Sequence, residues 1–180
     1  DRDYIEAALI AYREGRRESG IMQHAASEMS PDELRALAEW FAGHEAEPKT
    51  TGAAAPETLT LGEELARAGS DDVPACTACH GPGPRDLAGF GGEDLEGRFP
   101  PLAGQDEAYL ITQLRLWRDG VRGGTEAYNL MRVAAQELEE EEIEALAAWY
   151  AALDPETGEI AGAGEAPRRR INPMRLSADH

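Results

Sequence analysis

The stretch Ala75–Gly81, ACTACHG, holds both cysteines of a 180-residue chain and sets an imidazole directly beside the second. Three chemistries use such a cluster. A thioredoxin-like dithiol expects a βαβ setting, and no such pattern surrounds this one. A structural zinc site expects four ligands, typically as two paired clusters; a second cysteine pair is missing, and His24, His44 and His180 are scattered. The third is covalent attachment of haem c, for which Cys-x-x-Cys-His is the recognised spacing. On one helical turn residues i and i+3 share a face. Cys76 and Cys79 can then reach two vinyl groups on one porphyrin edge while His80 turns its ring to the iron. The haem reading leads, with zinc and an unmodified dithiol as alternatives.

A six-coordinate haem needs a ligand on its other face, and a methionine thioether is the usual partner of histidine in such sites. The chain has four methionines. Met174 lies in a tail rich in Arg and Pro, and Met22 and Met29 precede the motif. Met131 follows DGVRGGTEAYN (Asp119–Asn129), a Gly-bearing loop that lets the chain wrap the far side of a flat cofactor. Elimination favours Met131, against the alternative that a methionine at helical spacing is core.

Composition sets the frame. Hydrophobic residues make up 42% of the chain but aromatics only 6%, so the core is mostly Ala and Leu, the usual material of helices. The expectation is an all-α fold. A formal net charge of −18 speaks against nucleic acid, which needs a cationic surface. No apolar run approaches the roughly 20 residues that span a bilayer. The start, DRDYIEAAL, lacks the basic and apolar segments of a signal peptide, so a mature product or a fragment is expected.

The chain repeats itself. IMQHAASEMSPDELRALAEWFA (Ile21–Ala42) matches LMRVAAQELEEEEIEALAAWYA (Leu130–Ala151), with Met22 against Met131, Leu37 against Leu146 and Trp40 against Trp149. Upstream, YIEAALIAYREGRR matches YLITQLRLWRDGVR, pairing Tyr4 with Tyr109, Gly15 with Gly120 and Arg17 with Arg122. Each copy reads as helix, Gly-bearing loop, methionine, helix. Ser30, Pro31 and Glu33 mark the start of the last helix in the first copy. In the second copy the acidic run Glu139–Glu142 is expected to complement the helix dipole instead. Met29 aligns with Leu138 and reads as core. Projected back by the same offset, Cys76 falls before residue 1. Residues 1–46 therefore read as the back half of a domain without its haem-attaching front half.

At CTACHG, FPPLAGQDEAYLITQLRLWRDGVR and LMRVAAQELEEEEIEALAAWY the chain resembles the two-domain dihaem cytochromes c, the cytochrome c4 group. The resemblance implies tandem class I cytochrome c domains. The first is represented by its C-terminal half (1–46), a linker covers 47–57, a complete haem-binding domain covers 58–154, and a tail covers 155–180. It implies thioethers at Cys76 and Cys79, His80 as proximal and Met131 as distal iron ligand. Pro100, or its neighbour Pro101, would accept a hydrogen bond from the His80 ring. Met22 takes the position of an axial ligand to a second haem, if the natural chain is longer. The implied function is that of a soluble periplasmic electron carrier in a respiratory chain, not an enzyme. Its redox partners would be proteins such as a terminal oxidase or a membrane cytochrome complex. The alternative is the cytochrome subunit of a larger oxidoreductase, such as a flavocytochrome sulfide dehydrogenase. The segment Gly81–Phe99 reads as a loop beside the haem, and Arg168–Arg170 as the basic cluster of an extended tail.

Overall fold

Ser30, Pro31 and Glu33 start a helix because each meets one need of a helix end. Ser30 Oγ accepts the Glu33 N–H at 3.3 Å, and Glu33 Oε2 accepts the Ser30 N–H at 2.7 Å. Pro31 sits where an N–H would have no helical partner in any case. In the matching helix, Glu142 reaches back to accept the Glu139 N–H at 2.9 Å. The acidic run thus does more than the dipole role expected of it: it supplies a carboxylate version of the same cap.

A computed structural model describes residues 2–44, 54–81, 99–122 and 128–160. Eight helices occupy those residues: α1 (Arg2–Arg13), α2 (Gly20–Ser27), α3 (Pro31–Ala42), α4 (Pro56–Ala68), α5 (Thr77–His80), α6 (Glu107–Arg118), α7 (Tyr128–Ala135) and α8 (Glu140–Ala152). Among the described residues the β structure amounts to one isolated bridge, Leu153 to Ile160. The all-α expectation holds. α4 starts at Pro56, inside the stretch expected as linker, because a proline at the first helical position is already set for the helix. Much of the Gly-bearing loop before α7, nearly all of the segment after the motif, and Met174, Arg168–Arg170 and His180 lie outside the described residues.

The repeat is visible in the packing. α1 packs on α2 and α3, as α6 packs on α7 and α8. Arg115 and Arg118 of α6 pair with Glu140 of α8; these are exposed pairs, screened by solvent, and contribute little. The second unit adds α4, laid across α8. Gly62 makes that crossing close: a Cβ there would stand 2.1 Å from the Ala145 carbonyl oxygen. Leu65, Ala66, Leu110, Ile143, Leu146, Trp149 and Tyr150 belong to the core beneath it. The first unit has a smaller core of Leu9, Ala26, Leu34 and Ala38, with Met22 and Met29 packed against it.

Candidate haem centre

The turn Cys76–Gly81 is closed by its own backbone. The His80 N–H bonds to the Cys76 carbonyl at 2.9 Å, and the Gly81 N–H to the Thr77 carbonyl at 3.0 Å. Gly81, at φ +62°, ends it in a conformation that costs glycine little. His80 is buried, and its Nδ1 donates to the Pro100 carbonyl at 2.8 Å. That bond selects the tautomer whose Nε2 keeps a free lone pair. Nε2 faces Met131 Sδ at 3.5 Å. Burial pushes the His80 pKa down, with the Pro100 bond opposing it, which favours the neutral ring. Of the two prolines expected near the ring, Pro100 makes the contact.

Both cysteines are free and half-buried. Burial pushes the Cys76 thiol up to about 11 and raises Cys79 as well. A dithiol built for exchange needs the opposite shift, since the thiolate is the reactive form. Among the described residues no three His, Cys, Asp or Glu side chains converge on a point that could hold a metal ion.

The cleft between these groups fits haem c. Leu102, Leu110, Leu114 and Phe99 give it apolar walls beside Cys76, His80 and Met131. Tyr150 also lines it, and its hydroxyl is buried without a partner. The Cys76 thiol lies at the edge of the cleft, with a lone-pair imidazole and a soft thioether facing each other. At ordinary metal–nitrogen and metal–sulfur lengths, an ion between these two needs about 4.3 Å. The two atoms stand 3.5 Å apart, so seating an ion between them would require α7 to stand slightly farther out. Its Leu130 and Val133 are exposed to solvent, so little packing opposes that shift.

Met22 is not brought to this cleft. It lies half-buried against the first unit's core, and the other two described histidines, His24 and His44, are exposed.

One group was not assigned a role from the sequence. Gly15 and Gly120 adopt φ +71° and +70°, ending α1 and α6 with matching turns. The N–H groups of Arg17 and Arg122 then bond to the Ala11 and Leu116 carbonyls at 3.1 and 2.9 Å. The turns send both guanidiniums inward, where they are 5% and 6% exposed. Each crosses to the other unit. Arg17 donates to the Tyr109 hydroxyl at 3.0 Å, and Arg122 to the Tyr4 hydroxyl at 3.3 Å. Gln113 Oε1 accepts from Arg122 at 2.6 Å and from Arg17 at 3.4 Å. Two like charges that share one amide oxygen repel each other. The signal was present: these four positions match across the repeat. What sequence could not give was that each arginine bonds the other copy's tyrosine.

A helical unit presenting two adjacent thiols, a carbonyl-anchored imidazole and a facing thioether has the makings of a class I cytochrome c. No protein-family model matches the chain. It is 35% identical to cytochrome c4 of Thiocapsa roseopersicina, over 84% of this chain and 74% of that protein. It is 34% identical to the thiosulfate dehydrogenase electron acceptor of Thiomonas intermedia, over 83% of this chain, and spans 65% of that relative's length. The crystal structure of reduced cytochrome c4 from Pseudomonas stutzeri superposes with a TM-score of 0.68 at 30% identity, covering 85% of this chain and 81% of that one. The chain belongs to the cytochrome c4 family. It is a c-type cytochrome, an electron carrier rather than an enzyme, and membership implies covalently bound haem c.

Proposed function

We propose that Cys76 and Cys79 hold haem c through thioethers and that His80 and Met131 are the axial ligands of its iron. The observation that carries this is the His80 ring, anchored to Pro100 on one nitrogen and facing the Met131 sulfur with the other. Bound haem c supplies a one-electron couple. The chain's own residues do the rest. Pro100 fixes the imidazole plane, Met131 occupies the far position against small ligands, and the apolar walls limit water. The experiment is acid-acetone extraction of the mature protein. Colour stays with the polypeptide if the thioethers exist, and leaves it if they do not.

The carrier works in the periplasm in this reading and exchanges electrons with redox proteins. Likeness to a protein named as a thiosulfate dehydrogenase electron acceptor favours a sulfur-oxidising enzyme as donor. A terminal oxidase or membrane cytochrome complex is then the acceptor. The second reading, a resident subunit of such an oxidoreductase, has the same support. Co-purification at fixed stoichiometry indicates a subunit; rapid turnover with separately added protein indicates a shuttle. No described helix is long and apolar enough to cross a membrane.

Residues 2–44 are, in the same proposal, a partial cytochrome unit. Its helix α3 offers the face that α8 gives to α4, and Met22 stands where Met131 stands. Met22 serves a second iron only when a haem-bearing segment covers that face. Intact mass of the natural protein, counting haems, tests this.

A further inference from the structure

Tyr150 carries a hydroxyl that the haem reading has not used. The side chain is 3% exposed and lines the cleft, and among the described residues its oxygen meets no hydrogen-bond partner. A buried hydroxyl left unpaired is costly, so such a group calls for a partner that the folded chain alone does not supply. The ring is held in place: Trp149, fully buried, stands edge-on to it with 4.8 Å between centroids. The neighbours of the hydroxyl set it at the cysteine end of the cleft. Burial raises the Tyr150 pKa, and after burial the groups acting on it are Cys76, then Arg67, then Cys79. Arg67 has N–H donors only, one of them given to Glu63 at 2.9 Å, so it cannot accept from the phenol. Cys76 lines the cleft and packs against the cluster that contains Tyr150. As a free thiol it turns its S–H toward the Pro74 carbonyl, 3.9 Å away. In a thioether the hydrogen has passed to the vinyl carbon beside the new S–C bond, and the sulfur offers lone pairs only.

We propose that the Tyr150 hydroxyl donates a hydrogen bond to the Cys76 sulfur once that sulfur is a thioether, and so fixes the attached edge of the haem. The inference rests on the haem reading above. Thioether sulfur is a weak acceptor, but in an apolar surround no water competes for the donor and the bond is stronger than it would be in solvent. Adjacent residues of α8 then have separate tasks. Trp149 fills the crossing at Gly62, and Tyr150 secures the attachment.

The test uses the mature haem protein, wild type and Tyr150→Phe, a change that keeps the ring and removes the donor alone. Resonance Raman spectra report the C–S stretch of the thioethers, and chemical denaturation reports the stability of the same samples. Y150F is expected to shift one C–S band and to lower the denaturation midpoint. In the wild type the same band is expected to move between ordinary and fully exchanged heavy water, because the hydroxyl hydrogen is replaced; in Y150F it is expected to stay. A C–S band unmoved in Y150F overturns the inference, whether the midpoint rises, which marks the hydroxyl as unpaired, or falls, which assigns it to a buried water. A shift in Y150F with no isotope response in the wild type also overturns it, since altered packing alone would give that result. Should Y150F fail to mature, the heavy-water comparison on the wild type decides, and a band that does not move overturns the proposal. A wild-type chain that carries no covalent haem defeats the underlying reading instead.

Discussion

Trp40 and Trp149 occupy equivalent positions on equivalent helices, yet Trp149 is fully buried and Trp40 is 57% exposed. Phe41 and Tyr150 differ in the same way, at 51% and 3%. Leu34 and Ile143, nearly two turns earlier, are both completely buried. The part of each helix that meets its own unit's first helix is thus satisfied in both copies. The part that meets α4 is satisfied only in the second. An apolar pattern fixes which face a helix must bury, but a separate segment of chain decides whether it is buried.

The largest contrast expected between the units is in cofactor attachment. Cys76→Ala, Cys79→Ala or His80→Ala should abolish or severely impair haem maturation, read as loss of covalently held absorbance, whereas Met22→Ala should leave the haem at Cys76 and Cys79 in place. Ligation comes next. Met131→Ala should remove the weak far-red band that marks thioether bonding to ferric haem and should lower the potential, because a soft sulfur favours ferrous iron. If the band survives, another residue (Met174 first, then His24) is the ligand.

Packing should separate the units by a smaller margin. Trp149→Ala should cost about 3–5 kcal/mol in chemical denaturation, the usual range for a large buried aromatic. Trp40→Ala should cost within about 0.5 kcal/mol, as exposed positions do. A large Trp40 effect would mean that its face is covered in solution. The smallest effect concerns the helix caps. Bonds from the Ser30 backbone and then from its hydroxyl hold the Glu33 carboxyl below its usual pKa. Its contribution is present at neutral pH and fades as pH falls below about 4.3 and through the depressed folded value. Glu33→Gln should flatten that acid limb slightly, and an unchanged limb in a thermal melt series would contradict the cap's role.

Much of this was legible in sequence because it is local. CTACHG is set by spacing within one turn, the Ser30 cap by three adjacent side chains, and the repeat by direct alignment. That Met131 is the methionine facing His80 could be reached by elimination among four methionines. The remainder depends on contacts between distant segments. Nothing in Gly62 itself distinguishes a helix crossing from an ordinary helical glycine. The exchange of Arg17 and Arg122 between units is a property of how the copies face one another. The unpartnered hydroxyl of Tyr150 could not be foreseen from a position that reads simply as core.

The α4–α8 crossing also has a consequence in time. Its two helices come from opposite ends of the second unit, with α5, α6 and α7 between them, so it is a contact of long sequence separation and is expected to form slowly. Gly62 cannot meet Ala145 until nearly the whole unit has been made. Cys76, half-buried against the finished core with its thiol pKa raised by burial, is most accessible in the interval before that. Attachment chemistry at the turn therefore suits the open chain, and the arrival of α8 closes the interval.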